Sequence, residues 1–176
     1  MKPIFFLLLV LVGFQQVGLS QKYGYVDTEY ILEKIPEYTE AQNLINEMSK
    51  GWQNEIENKY KEVERKQQEF QAEAILLPDD MKEKRKAEIM KLQKEARELQ
   101  SKRVGVEGDL FDKRKELIKP IQDKVFDAIQ QLASQQNYAF IFDKANQSNL
   151  LYGDSKYDLS DQVLRKMGIN PKNTED

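Results

Sequence analysis

The chain of 176 residues contains no cysteine and no histidine. The first absence excludes disulfides and thiolate nucleophiles, and the two together exclude His-based general acid–base pairs and nearly all zinc and haem sites. No carboxylates cluster away from the charged middle of the chain, so the protein is expected to be no enzyme and to carry no metal or cofactor. Apolar runs are equally scarce. The longest, Ile4 to Phe14, falls short of the roughly 20 residues that cross a bilayer. With 32% charged residues and a mean hydropathy of −0.72, a large single core is not expected. A net charge of −3 gives no electrostatic match to nucleic acid.

Proline is also rare where it matters. Between Pro36 and Leu117 the one further proline is Pro78, and the stretch is dense in Glu, Lys, Gln and Arg, good helix formers with solvated side chains. This predicts two long helices folded back on each other at Leu76-Leu77-Pro78-Asp79-Asp80. On the outgoing limb Ala41, Ile45, Met48, Trp52, Ile56, Tyr60, Val63, Phe70 and Ala74 form one stripe at three–four spacing. On the return limb Ile89, Leu92, Ala96, Leu99, Val106, Leu110 and Leu117 do the same, with Arg103 and Lys113 as polar members of the seam. A limb of about forty residues at about 1.5 Å each extends roughly 60 Å, so the hairpin must project as an arm.

Gly51, Gly105 and Gly108 fall inside these expected helices, where each costs about 1 kcal/mol relative to alanine. Antiparallel pairing about Leu77 and Pro78 sets Gly51 opposite position 104, which suggests a hinge that alanine at all three positions would stiffen. At the tip, Asp80 and Glu83 read as a capping box for the second limb. The run Lys82 to Lys86 reads as a solvated helix face, with weak contact to a membrane or lipopolysaccharide surface as the alternative. Leu76 and Leu77 are the residues placed to meet something apolar outside the arm.

Residues 1–20 read as a secretory signal peptide: Lys2, the apolar run, then Gly18-Leu19-Ser20, with cleavage before Gln21. The mature chain opens with a strand at Tyr23-Gly24-Tyr25-Val26, and Asp27 reads as the N-cap of a brief helix, Glu29 to Lys34. Pro36 suits the first turn of the arm helix. Pro120 is expected to bend the return helix and mark the junction of arm and base. Tyr138 to Phe142 reads as a buried strand, 143–149 as a loop, Leu150-Leu151-Tyr152 as a further strand, and Asp158 as the cap of a short helix ended by Gly168. The fold class is thus α+β and mostly α. A coiled-coil hairpin arm (36–118) projects from a small β-containing body (21–35 and 119–176) whose sheet edges invite self-association.

The signal peptide, the opening 23–38 with Ala41-Gln42, the charged hairpin, Pro120, the segment 137–143 and the close Asp158-Leu-Ser-Asp-Gln-Val-Leu together resemble the Skp/OmpH family of periplasmic chaperones. The resemblance implies a homotrimer whose body joins strands of three subunits, with helical arms around a cavity. In that cavity unfolded outer-membrane β-barrel proteins are held without ATP and kept from aggregating in the periplasm. It makes Trp52, Ile56, Tyr60, Phe70, Leu76 and Leu77 candidate client contacts, Gly51, Gly105 and Gly108 the arm hinge, and Tyr25, Val26, Phe140, Ile141, Phe142 and Leu151 the oligomerisation body. The best-known members are strongly basic and this chain is mildly acidic, so no lipopolysaccharide site is carried over. The alternative is a structural or adaptor coiled coil of the envelope with a folded partner.

Overall fold

The computed structural model describes residues 21–145 and 150–171. The expected signal peptide and part of the loop 143–149 lie outside the described residues. In order, the elements are β1 (Lys22–Val26), α1 (Thr28–Glu33), α2 (Pro36–Glu73), α3 (Asp79–Val104), α4 (Asp109–Gln136), β2 (Tyr138–Asp143), a 3-10 turn (Ser155–Tyr157) and α5 (Ser160–Lys166). The fold is α+β and mostly α, with a long helical hairpin arm.

The 38 residues of α2 make a rod of about 57 Å at about 1.5 Å per residue. It begins where the sequence places it, because Ile35 is extended and Pro36 occupies the first turn. Helix α3 runs back along α2, and its seam is thin: beyond Ala41, which joins the body's core, only Ile45, Val63, Ile89 and Ala96 of the stripes are buried. The capping box at the tip does not form. Pro78 is the N-cap, its carbonyl accepting the Lys82 amide at 3.0 Å, so Asp80 is already inside the first turn, where its carboxylate faces Lys84 rather than a backbone N–H.

The return limb is not one helix. It breaks between Val104 and Asp109, with Gly105 as the C-cap of α3 and Gly108 as the N-cap of α4, so neither glycine is in a helix interior. Both are required by close backbone approach. A Cβ at Gly105 would strike the Ser101 carbonyl, and one at Gly108 would lie 2.7 Å from the Lys102 carbonyl. The break turns Val106 out of the seam to 92% exposure. Helix α4, by contrast, runs through Pro120, which sits on the solvent side, where water can take the carbonyl it leaves unpaired.

The body gathers both ends of the chain. Val26, Ile31, Ile35, Ala41, four residues of α4 and Leu159, Val163 and Leu164 form its core. β1 and β2 are parallel, with Tyr23 opposite Phe140 and Tyr25 opposite Phe142, and the whole arm is the crossover between them. The further strand expected at Leu150–Tyr152 is absent: Leu151 is fully exposed in a bend. The second edge of β1 is met instead by an isolated parallel bridge from Tyr25 to Asp158, with the Leu159 amide donating to the Tyr25 carbonyl at 2.9 Å. Gly24 permits this closeness, since a Cβ there would lie 2.5 Å from Leu159 Cδ1.

Candidate functional site: the arm surface and the outer face of the sheet

Three segments of chain meet at the start of α1, and their polar groups are consumed in holding it. Asp27 accepts the Tyr30 amide at 3.1 Å, which makes it a cap as its sequence context predicts. The Asp27 amide donates to the buried Ser160 hydroxyl at 2.9 Å, and that hydroxyl donates to Asp158 at 2.6 Å. Asp158 also accepts the Ser160 amide, so it closes the turn before α5 although Leu159 is the helix N-cap. Asp143, which the sequence leaves in a loop, accepts both the amide and the hydroxyl of Thr28. No buried side-chain nitrogen or oxygen among the described residues lacks a partner. These carboxylates are therefore structural caps.

The strands have two unlike faces. Val26 and Ile141 point to the helices, while Tyr23, Tyr25, Phe140 and Phe142 share the other face. Tyr25 is buried against Gly153, and burial followed by the Asp158 charge pushes its phenol pKa up. The other three rings are largely exposed, with Phe140 at 56%, and they stack in a row: Tyr23 on Phe140 at 5.8 Å, Phe140 on Phe142 at 6.4 Å. β2 is thus a strand where the sequence places it, but not a buried one within a single chain. Beside it opens a concavity of ≈ 880 Å³, whose lining includes Tyr23, Tyr25, Phe142, Tyr152 and Tyr157.

Along the arm, Trp52 is half-buried beneath the guanidinium of Arg103, 5.3 Å from the ring. Arg103 also donates to Glu55 at 3.1 Å and to Asp109 at 2.6 Å, and these hydrogen bonds, Glu55 first, hold its pKa above the ordinary arginine value. Tyr60 donates to Gln100 at 2.8 Å across the limbs. Ile56 is half-buried, and Phe70 lines a small groove with Lys66, Arg85 and Ile89. Of the candidate contacts, Leu76 at the tip stands furthest clear of the seam. Leu76 is 85% exposed and Leu77 half-buried, and Ile75, not among the expected contacts, is 92% exposed. Its place beside the expected turn is the one sequence signal for it. The basic run is neutralised locally: Lys82 pairs with Asp79, Lys84 with Asp80, Arg85 with Glu88 and Lys86 with Glu83. Gly51 lies exposed within α2 with nothing within 4 Å of a Cβ built there. Among the described residues no helix is long and apolar enough to cross a membrane.

These features define a helical-arm protein, in which one small body carries a long, thin-seamed hairpin with an apolar tip. The chain belongs to the OmpH-like family: residues 22–167 match the family model described as "Outer membrane protein (OmpH-like)". It is also similar to a protein of Aquifex aeolicus (strain VF5) described only as uncharacterized. The two are 28% identical over 167 residues, which cover 95% of this chain and 96% of that one.

Proposed function

We propose that this protein is an ATP-independent holdase of the periplasm, which takes unfolded outer-membrane β-barrel proteins between flexible helical arms and keeps them from aggregating. Membership of the OmpH-like family supports a chaperone that binds outer-membrane proteins in general. The observation that carries the finer reading is the arm itself. A hairpin about 57 Å long with so few buried seam residues encloses no core of its own. It offers a long amphipathic surface of sparse apolar residues and Lys and Arg stems, suited to holding a chain weakly at many points.

In this reading the body is a homotrimer. The exposed stack of Tyr23, Phe140 and Phe142 and the outer edge of β2, which no described strand pairs, are the surface a neighbouring copy would cover. The arm spans 36–118 and the body 21–35 with 119–176. Gly51 and the 105–108 break serve as the hinge, and Trp52, Ile56, Tyr60, Phe70, Leu76 and Leu77 are the client contacts. The mature chain begins at Gln21 after removal of the signal peptide.

The test is light scattering of a urea-unfolded outer-membrane β-barrel protein diluted into buffer, with and without the mature chain. Suppression saturating near three chains per client is the expected result. No suppression at any ratio overturns the holdase and favours a coiled-coil adaptor with a folded envelope partner.

A further inference from the structure

The break in the return limb raises a mechanical question: what fixes the angle between α3 and α4? The turn contributes little. Its hydrogen bonds are local, Gly105 amide to Ser101 at 2.9 Å and Gly108 amide to Gly105 at 3.0 Å, and its apolar residue Val106 points into solvent. One side chain reaches all three helices at this level. Arg103, in the last turn of α3, presents a two-pronged fork to Glu55 of α2, with Nε at 3.1 Å and Nη2 at 3.5 Å. Its remaining nitrogen, Nη1, binds Asp109, the first residue of α4, at 2.6 Å. Its plane lies over Trp52 of α2. Among the described residues, the other ion pair joining different arm helices is Lys66 to Glu88, at 3.9 Å. Arg103 also sits at the negative end of α3 and Asp109 at the positive end of α4, where each charge opposes the local dipole.

We propose that Arg103 is a latch that sets the arm's angle: while it grips Glu55, Trp52 and Asp109 together the two segments of the return limb are held against α2, and its release frees the tip segment to pivot. The pivot is already present, because α2 has its exposed Gly51 at the same level, one residue before Trp52, with no side chain packed over it. Half-exposed ion pairs are individually weak and screened by salt, so the latch opens under mild conditions rather than locking the arm. The latch belongs to the arm alone and does not depend on what the arm holds.

The absence of cysteine makes the test direct. Cysteines introduced at exposed Gln71 on α2 near the tip and exposed Gln130 on α4 take nitroxide labels without competing sites. Pulsed dipolar spectroscopy, in samples diluted with unlabelled chain, then reads tip-to-body distance. R103Q is expected to widen the distance distribution at least twofold and to shift the emission of Trp52, the single tryptophan. E55Q and D109N, which each cut one tether, should fall between R103Q and the parent. They serve as the test on their own if R103Q loses helix. Raising salt from about 0.01 M to about 1 M, which shortens the Debye length from about 30 Å to about 3 Å, should widen the parent but not R103Q. K61Q, which cuts the exposed Lys61–Glu57 pair within α2, is the control and should change nothing. Distributions of R103Q, E55Q and D109N that superimpose on the parent, or a K61Q as broad as R103Q, would overturn the latch.

Discussion

The rings of Tyr23 and Phe140 lie parallel, 5 degrees apart and with centroids separated by 5.8 Å, on the outer face of the sheet, where both are largely exposed. In the homotrimer proposed above, a neighbouring copy would bury this aromatic surface. F140E puts a charge at its centre without touching the core beneath. The expected outcome is a shift toward monomer in sedimentation equilibrium with unchanged helical circular dichroism. An unaltered mass distribution would place the subunit contact elsewhere.

Gly24 lies under Leu159, where the two ends of the chain close on each other. G24V forces its side chain into Leu159 and is expected to cost about 1–3 kcal/mol as an overpacked site. The measurement is a chemical denaturation midpoint. The same substitution at Gly153, beneath the Tyr25 ring, should cost less, because the segment carrying it is more exposed.

Core and tip separate stability from binding. Leu164 is fully buried, and L164A should destabilise by about 2–5 kcal/mol. I75S combined with L76S, at residues 92% and 85% exposed, should leave stability within about 0.5 kcal/mol per site. If the tip contacts client, the double variant nonetheless loses suppression of aggregation. Equal suppression by double variant and parent would move client binding to the arm flanks.

The three arm glycines should respond differently to alanine. At Gly51 the helix gains about 1 kcal/mol of intrinsic stability and meets no neighbour, so G51A should raise the melting temperature. G105A and G108A drive a methyl group into backbone carbonyls and should lower it. A triple alanine variant mixes these opposed effects, so only G51A reports on stiffness of α2. Melting curves of the three single variants decide the matter by sign.

Much of this architecture is legible in the sequence because it rests on local chemistry. The three–four stripes and the near absence of proline from 36 to 117 specify two helices, Pro78 specifies the turn, and Asp27 specifies a cap whose partner is three residues away. The Arg103 seam position was also visible from periodicity. What was not visible depends on groups brought together from distant segments. Asp143 gives no local sign that it binds Thr28, and nothing near Leu159 reveals that its amide reaches the Tyr25 carbonyl on the edge of β1. Asp109 becomes the partner of Arg103 only because a turn stands between them.

Helix propensity, stripe spacing and residue type act over a few residues, so the elongated helical character, the hairpin and the lack of cysteine and histidine are written in the chain itself. Where the return limb breaks, and which face of β1 and β2 exposes Tyr23, Phe140 and Phe142, depend on packing between distant segments. The break falls at Gly105–Gly108, where backbone carbonyls crowd two glycines, while α4 continues through Pro120 despite the hydrogen bond lost there. The bare aromatic face follows from a parallel pairing across the whole arm. That register sends Val26 and Ile141 inward, and with them, by the period of two, Phe140 and Phe142 outward.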